Sequence, residues 1–132
     1  MRVVIMGCGR VGSRLATIMD AEGHDVAVID KNPRSNRRLP GSYGGNFIVG
    51  DATGEDVLIE AGIKQADVFV AVTQGDNRSI MASQVAKHVF SVPKVVCRIY
   101  DPIRQEIFKE LGLQTFSPTT LLARLIHDTI EE

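Results

Sequence analysis

The sequence predicts an α/β fold, a doubly wound parallel sheet of about six strands with helices on both faces. Two observations carry this reading. Short β-branched runs alternate with amphipathic stretches from end to end of the 132 residues, as a parallel sheet with crossover helices requires. The runs themselves are apolar almost throughout, as strands covered on both faces must be. With 44% hydrophobic residues the chain can bury a core of its own, and 1–132 reads as a single domain without linker or low-complexity segment.

Val3 to Met6 is the first strand, closed by glycines, and Ser13 to Glu22 the first helix, with Leu15, Ile18 and Met19 at helical spacing before Gly23 stops it. Asp25 to Asp30 is the second strand. The polar segment 31–45 follows, in which Pro33 opens a short helix. Phe47 to Val49 is the third strand and Glu55 to Ala61 a short helix, its Val57, Leu58 and Ala61 inward and Gly62 its stop. Val68 to Val72 has the unbroken apolar character of a central strand, and Asn77 to Phe90 follows with Ile80, Met81, Gln84, Val85 and His88 along one stripe. Lys94 to Tyr100 is the fifth strand. Pro102 to Leu111 aligns Ile103, Ile107, Phe108 and Leu111, Gln114 to Phe116 is the sixth strand, and Thr119 to Glu132 is a last helix with Leu121, Leu122, Leu125, Ile126 and Ile130 apolar. That helix has no glycine stop, so it is expected either to dock on a partner chain or to lead into a further domain in longer relatives.

Composition excludes some functions. Fifteen basic against sixteen acidic residues give a net charge of −1, without the positive field that drives binding to nucleic acid. The N-terminus lacks the pattern of a signal peptide and no run reaches the ~18 apolar residues of a membrane span. A cytoplasmic protein with no direct membrane insertion is expected. Cys8 and Cys97 stand far apart without metal-ligand neighbours, so neither a disulfide nor a metal site is expected.

The first turn reads Gly7-Cys8-Gly9-Arg10-Val11-Gly12, a G-x-G-x-x-G that follows a strand, opens a helix, and is answered by Asp30, 18 residues after Gly12. In a Rossmann turn Gly7 permits the tight bend, Gly9 lets the backbone approach a pyrophosphate, and Gly12 lets the helix pack on the sheet. The helix N-terminus favours phosphate. Asp30 is placed to accept the two ribose hydroxyls, favouring NAD or an adenosine phosphate over NADP, an exclusion that Arg34, Arg37 and Arg38 weaken. The alternative is a plain tight turn with Asp30 capping a loop. Arg10 is placed to grip a β- or γ-phosphate, or else is a solvated arginine. Cys8 is a small residue filling the turn, or a thiol with a pKa lowered by the helix terminus.

Ligands on such sheets bind beyond the carboxyl ends of the strands, which singles out Asp51 and Ala52 for the adenine or ribose, Thr73 and Gln74 for the ligand's middle, and Arg98. Asp76 reads first as a helix N-cap. Arg98, on an apolar strand, needs an anion, either an internal aspartate or a ligand phosphate. His24, His88 and His127 form no triad-like arrangement and read as structural or exposed.

These motifs, with Gly50-Asp51-Ala52-Thr53, Ala61-Gly62-Ile63, Ala66-Asp67 and Cys97-Arg98-Ile99-Tyr100-Asp101-Pro102, resemble the RCK or TrkA N-terminal (KTN) domains that regulate potassium channels and transporters. The resemblance covers nearly the whole chain. It implies a site of Gly7, Cys8, Gly9, Arg10, Val11, Gly12, Asp30, Lys31, Asp51, Ala52, Thr73, Gln74 and Arg98, with Arg10 sensing phosphate. It also implies NAD, NADH, ATP or ADP as ligand, and dimers stacked into a ring beneath a membrane pore. Ser79 stands where the family usually has asparagine, and the family's C-terminal domain is absent from this chain.

The expected function is thus a cytosolic, non-enzymatic regulatory subunit gating a potassium transporter or channel. The alternatives are an NAD-dependent oxidoreductase, which would need a substrate domain and a placed acid or base, and a dimerisation module with a structural nucleotide.

Overall fold

The computed structural model describes all residues, Met1–Glu132. Six strands, β1 (Arg2–Met6), β2 (Asp25–Asp30), β3 (Asn46–Val49), β4 (Val68–Ala71), β5 (Lys94–Arg98) and β6 (Gln114–Phe116), form one sheet. Their order is β3-β2-β1-β4-β5-β6 and every pairing is parallel. The chain runs outward from β1 to β3, then returns to lay β4 on the other side of β1. Above β1 and β4 the crossovers diverge, leaving an open crevice at the carboxyl ends of the strands.

The helices are α1 (Arg10–Ala21), α2 (Glu55–Glu60), α3 (Asp76–His88), α4 (Pro102–Glu110) and α5 (Pro118–Ile130), with 3₁₀ turns at Pro33–Arg38 and Ile63–Gln65. None is long and apolar enough to cross a membrane. Strand residues alternate between two cores. Val4, Met6, Ala27, Ile29, Phe69 and Ala71 face the layer that holds Leu58, Ile80 and Ala86, whereas Val3, Ile5, Val26, Val28 and Val70 pack against Ala16 and Cys8. The alternation is what period-two strands between two helical layers require.

The strand and helix order agrees with the sequence reading; the helix faces differ. Helix α1 starts at Arg10, three residues before the expected Ser13, and buries Gly12, Ser13 and Ala16 while Ile18 points outward. In α3 the inward face is Ser79, Ile80, Ala82, Ser83 and Ala86; of the expected stripe Ile80 is buried and Val85 packs on the core, while Met81 is 55% exposed. Small residues bring this helix close to β4 and β5, so its contact face carries little apolar bulk and periodicity misplaces it. Of the aligned residues on α4 only Phe108 packs on the core, while Ile103, Ile107 and Leu111 are exposed. Leu121, Leu122, Leu125, Ile126 and Ile130 of α5 are exposed as well.

Gly12 fixes the approach of α1 to β1. A Cβ there would lie 1.8 Å from the Gly7 carbonyl oxygen, a backbone atom that cannot step aside. Gly12→Ala is therefore expected to destabilise the domain by about 3 kcal/mol or more, the upper range for overpacking, as read from urea denaturation midpoints.

Candidate functional site

The crevice is a cleft of about 700 Å³. Gly7, Cys8, Gly9, Arg10 and Val11 form one wall, Asp30 and Lys31 the end of β2, Thr73 and Gln74 the end of β4, and Arg98 reaches in from β5. Ala52, 2% exposed, lies behind. Gly7 takes φ +108°, a conformation open to glycine, and donates its N–H to the Ile29 carbonyl at 2.8 Å, turning the chain sharply out of β1.

Gly9 holds the N-cap position of α1, where no side chain caps the helix and no acid occupies the first turn. The first N–H groups of α1 thus lack the protein partners that helix ends usually find. A Cβ on Gly9 would meet no protein atom within 4 Å. Protein packing therefore does not require glycine here; a ligand lying against the backbone would.

Asp30 ties this loop to β2. One carboxylate oxygen accepts the Cys8 N–H at 2.8 Å and the other the Asn32 N–H at 2.8 Å. Each carboxylate oxygen can accept a second hydrogen bond, so holding the loop does not use up the acid. The Cys8 thiol is buried and donates to the Ser35 carbonyl at 3.3 Å. Burial above all, with the Asp30 charge adding and Arg38 opposing, pushes its pKa up. Cys8 is thus a packing residue, and the lowered-pKa alternative is overturned.

The expected anion partner of Arg98 is not an internal aspartate. Its Nη2 donates to the Val72 carbonyl at 2.7 Å and its guanidinium stacks 4.9 Å from the Tyr100 ring centroid. Its Nε is buried without a hydrogen-bond partner, and the residue lines the cleft. Tyr100 is held by Asp76, whose carboxylate accepts the N–H of Tyr100 at 3.0 Å and of Asp101 at 3.3 Å. This corrects the reading of Asp76 as an N-cap: Gly75 takes that position, and Asp76 clamps the β5–α4 turn instead. Thr73 and Ser79 hydroxyls lie 2.6 Å apart at the foot of α3.

Two residues expected in the site do not line the cleft. Gly12 acts through helix packing. Asp51 accepts the Thr53 N–H at 3.0 Å and hydroxyl at 2.7 Å, and pairs with Arg78 at 2.6 Å; it is Arg78 that reaches the cleft. The Thr53 N–H, then the Thr53 hydroxyl and Arg78, outweigh desolvation and lower the Asp51 pKa from its ordinary 3.8 to about 2. Sequence reasoning missed Ser35, Arg78 and Tyr100 and weighed Arg38 only against the preference for NAD over NADP; all four line the same cleft. Tyr100 sits inside a recognised motif, whereas Ser35 and Arg78 leave no sequence signal, because only the crossovers bring them here. None of the three histidines lines the cleft: His24 meets the N-terminal amine at 3.1 Å and His127 meets Asp128 on α5.

The family model for the TrkA-N domain matches residues 3–118. The chain is 51% identical over 115 residues to the Trk system potassium uptake protein TrkA of Streptomyces coelicolor, an alignment covering 87% of this chain and 52% of that protein. The chain thus spans about half the length of this relative. Among solved structures, the TrkA-N domain of the inner membrane protein ybaL from Escherichia coli superposes with a TM-score of 0.86 at 19% identity, covering 97% of this chain and 95% of that one. GsuK bound to ADP superposes at 0.81 with 23% identity, over 98% of this chain and 34% of that one. At these identities the superpositions speak to the fold.

Asp51 has a testable acid signature. Its folded-state pKa is depressed, so its contribution to stability is present above the unfolded pKa near 3.8 and is lost as pH falls through about 2. Asp51→Asn is expected to flatten the fall in denaturation midpoint between these values; an unchanged acid limb would contradict the assigned contacts.

Proposed function

The chain belongs to the TrkA-N domain family, and on that premise we propose that it binds an adenine nucleotide across the β1–β4 crevice and thereby regulates a potassium transporter or channel. The observation that carries the proposal is Gly9: an uncapped helix terminus with open space where a side chain would stand. A diphosphate there accepts the free N–H groups at the positive end of α1. The ribose hydroxyls donate to the unused acceptor positions of Asp30. Arg10, exposed at the start of α1 with no carboxylate within ion-pair distance, meets the terminal phosphate. The Arg98 guanidinium adds positive charge on the opposite wall. NAD, NADH, ATP and ADP share the adenosine and diphosphate that these groups address, and the ADP carried by GsuK is of the same class.

The role is regulatory rather than enzymatic. The curated relative is named as a component of a potassium uptake system. A ligand biases two assembly states only by the difference in its affinity for them, and Arg10 supplies such a difference between triphosphate and diphosphate. The exposed apolar faces of α4 and α5 support assembly of copies into dimers and a ring. In this reading the protein works in the cytoplasm, at the inner face of the membrane through its partner.

Calorimetric titration tests the nucleotide. About micromolar binding of at least one of NADH, NAD, ATP and ADP is expected, lost in Asp30→Ala. Gly9→Ala is expected to change stability by less than about 0.5 kcal/mol, as at an open surface position, while weakening binding by about tenfold or more. Arg10→Ala should narrow the ratio of ATP to ADP affinity. No binding of any of the four nucleotides would sink the proposal.

A further inference from the structure

A second cleft of about 510 Å³ lies between α1 and the 3₁₀ turn after β2, and its charge is one-sided. Arg10 and Arg14 enter it from α1 and Arg37 and Arg38 from the turn, with no acidic residue in the lining. In a chain of net charge −1, four guanidiniums around one hollow is a marked concentration of charge. None has a carboxylate within 4.0 Å, since the arginine ion pairs of the molecule are Arg2–Asp25 and Arg78–Asp51. Like charges gathered without counter-charge repel one another, and an anion between them relieves that repulsion.

The hydroxyls in this cleft do not compete for an anion. Ser13 donates to the Arg10 carbonyl at 3.4 Å and Thr17 to the Ser13 carbonyl at 2.7 Å, so their protons are engaged in the helix. The donors are the guanidiniums, whose forked N–H groups suit phosphate oxygens.

The two clefts adjoin: Arg10 and Arg38 line both. Arg38 ends the 3₁₀ turn that leaves β2 just after Asp30. A ribose held at Asp30 would direct its 2′ or 3′ substituent toward this turn, the region where an arginine accommodates a ribose phosphate in dinucleotide folds. We propose that the second cleft is an anion subsite for a further phosphate on the ribose, so that the site prefers adenine nucleotides phosphorylated at the 2′ or 3′ position as well as the 5′ position. The inference rests on the nucleotide reading above and reverses one sequence expectation, that Asp30 excludes a 2′-phosphate. Asp30 is already engaged by two backbone N–H groups, which offset part of its negative charge toward a ligand, and four guanidiniums outnumber it.

The test titrates the full chain with AMP, adenosine 2′,5′-bisphosphate and adenosine 3′,5′-bisphosphate, and with NAD against NADP, at fixed salt. At least one bisphosphate should bind about tenfold or more tightly than AMP, as one charge-assisted bidentate contact suggests. The double variant Arg14→Ala, Arg37→Ala alters exposed residues outside the main cleft. It should abolish that preference while changing AMP affinity by less than about threefold, since long-range charge is screened. AMP binding with no gain from either extra phosphate overturns the subsite alone, as does a preference that survives in the double variant. If no nucleotide binds at all, both the subsite and the nucleotide reading fall.

Discussion

The hydrogen bond from the Cys8 N–H to Asp30 holds the crevice in shape. It joins the loop after β1 to the end of β2, while the second Asp30 oxygen starts the turn toward residues 33–38. Without it, the loop would be tied to the sheet chiefly through Gly7 and the packing of Gly12. One carboxylate thus sets the wall on which phosphates would lie, the position of the ribose acceptor, and the direction in which Arg37 and Arg38 depart. A hydrogen bond to a charged group contributes about 1.5–3 kcal/mol, enough to favour one loop conformation over its alternatives.

A second layer of constraint acts through intermediaries. Asp51 holds Arg78, and Asp76 holds the Tyr100 and Asp101 backbone, so that Tyr100 can carry Arg98. Both acids stand beyond strand ends but leave the cleft wall to the groups they position. The cleft therefore presents mostly cationic and backbone donors, with Asp30 as the one acid in its lining, an arrangement suited to a polyanion with hydroxyls at one end. The exposed apolar residues of α4 and α5 are not among those that line this cleft.

Most strands were legible because they are short runs rich in apolar, β-branched residues bounded by glycine or polar residues. Asp25–Asp30 and Gln114–Phe116 match their expected bounds residue for residue. The glycine turn was legible for the same reason: φ at Gly7 and the close approach at Gly12 admit few other residues. Helix faces were less so. Apolar periodicity marks which residues could be buried, whereas α3 approaches the sheet through Ser79, Ala82, Ser83 and Ala86, whose small size is what permits contact. Ser35 and Arg78, brought in by crossovers, were illegible, because nothing local marks a side chain whose neighbour lies on another strand. Asp51 was found beyond the end of β3, but its contacts with Thr53 and Arg78 were not, since sequence position does not show which group a carboxylate will bind first.

The most direct measurement is an amide chemical-shift map of the ¹⁵N-labelled domain titrated with ADP. The account predicts the largest changes at Cys8, Gly9, Arg10 and Val11 and around Asp30 and Lys31, with α5 unaffected. Largest changes on α4 or α5, with the loop after β1 unmoved, would contradict it and place the ligand outside the crevice.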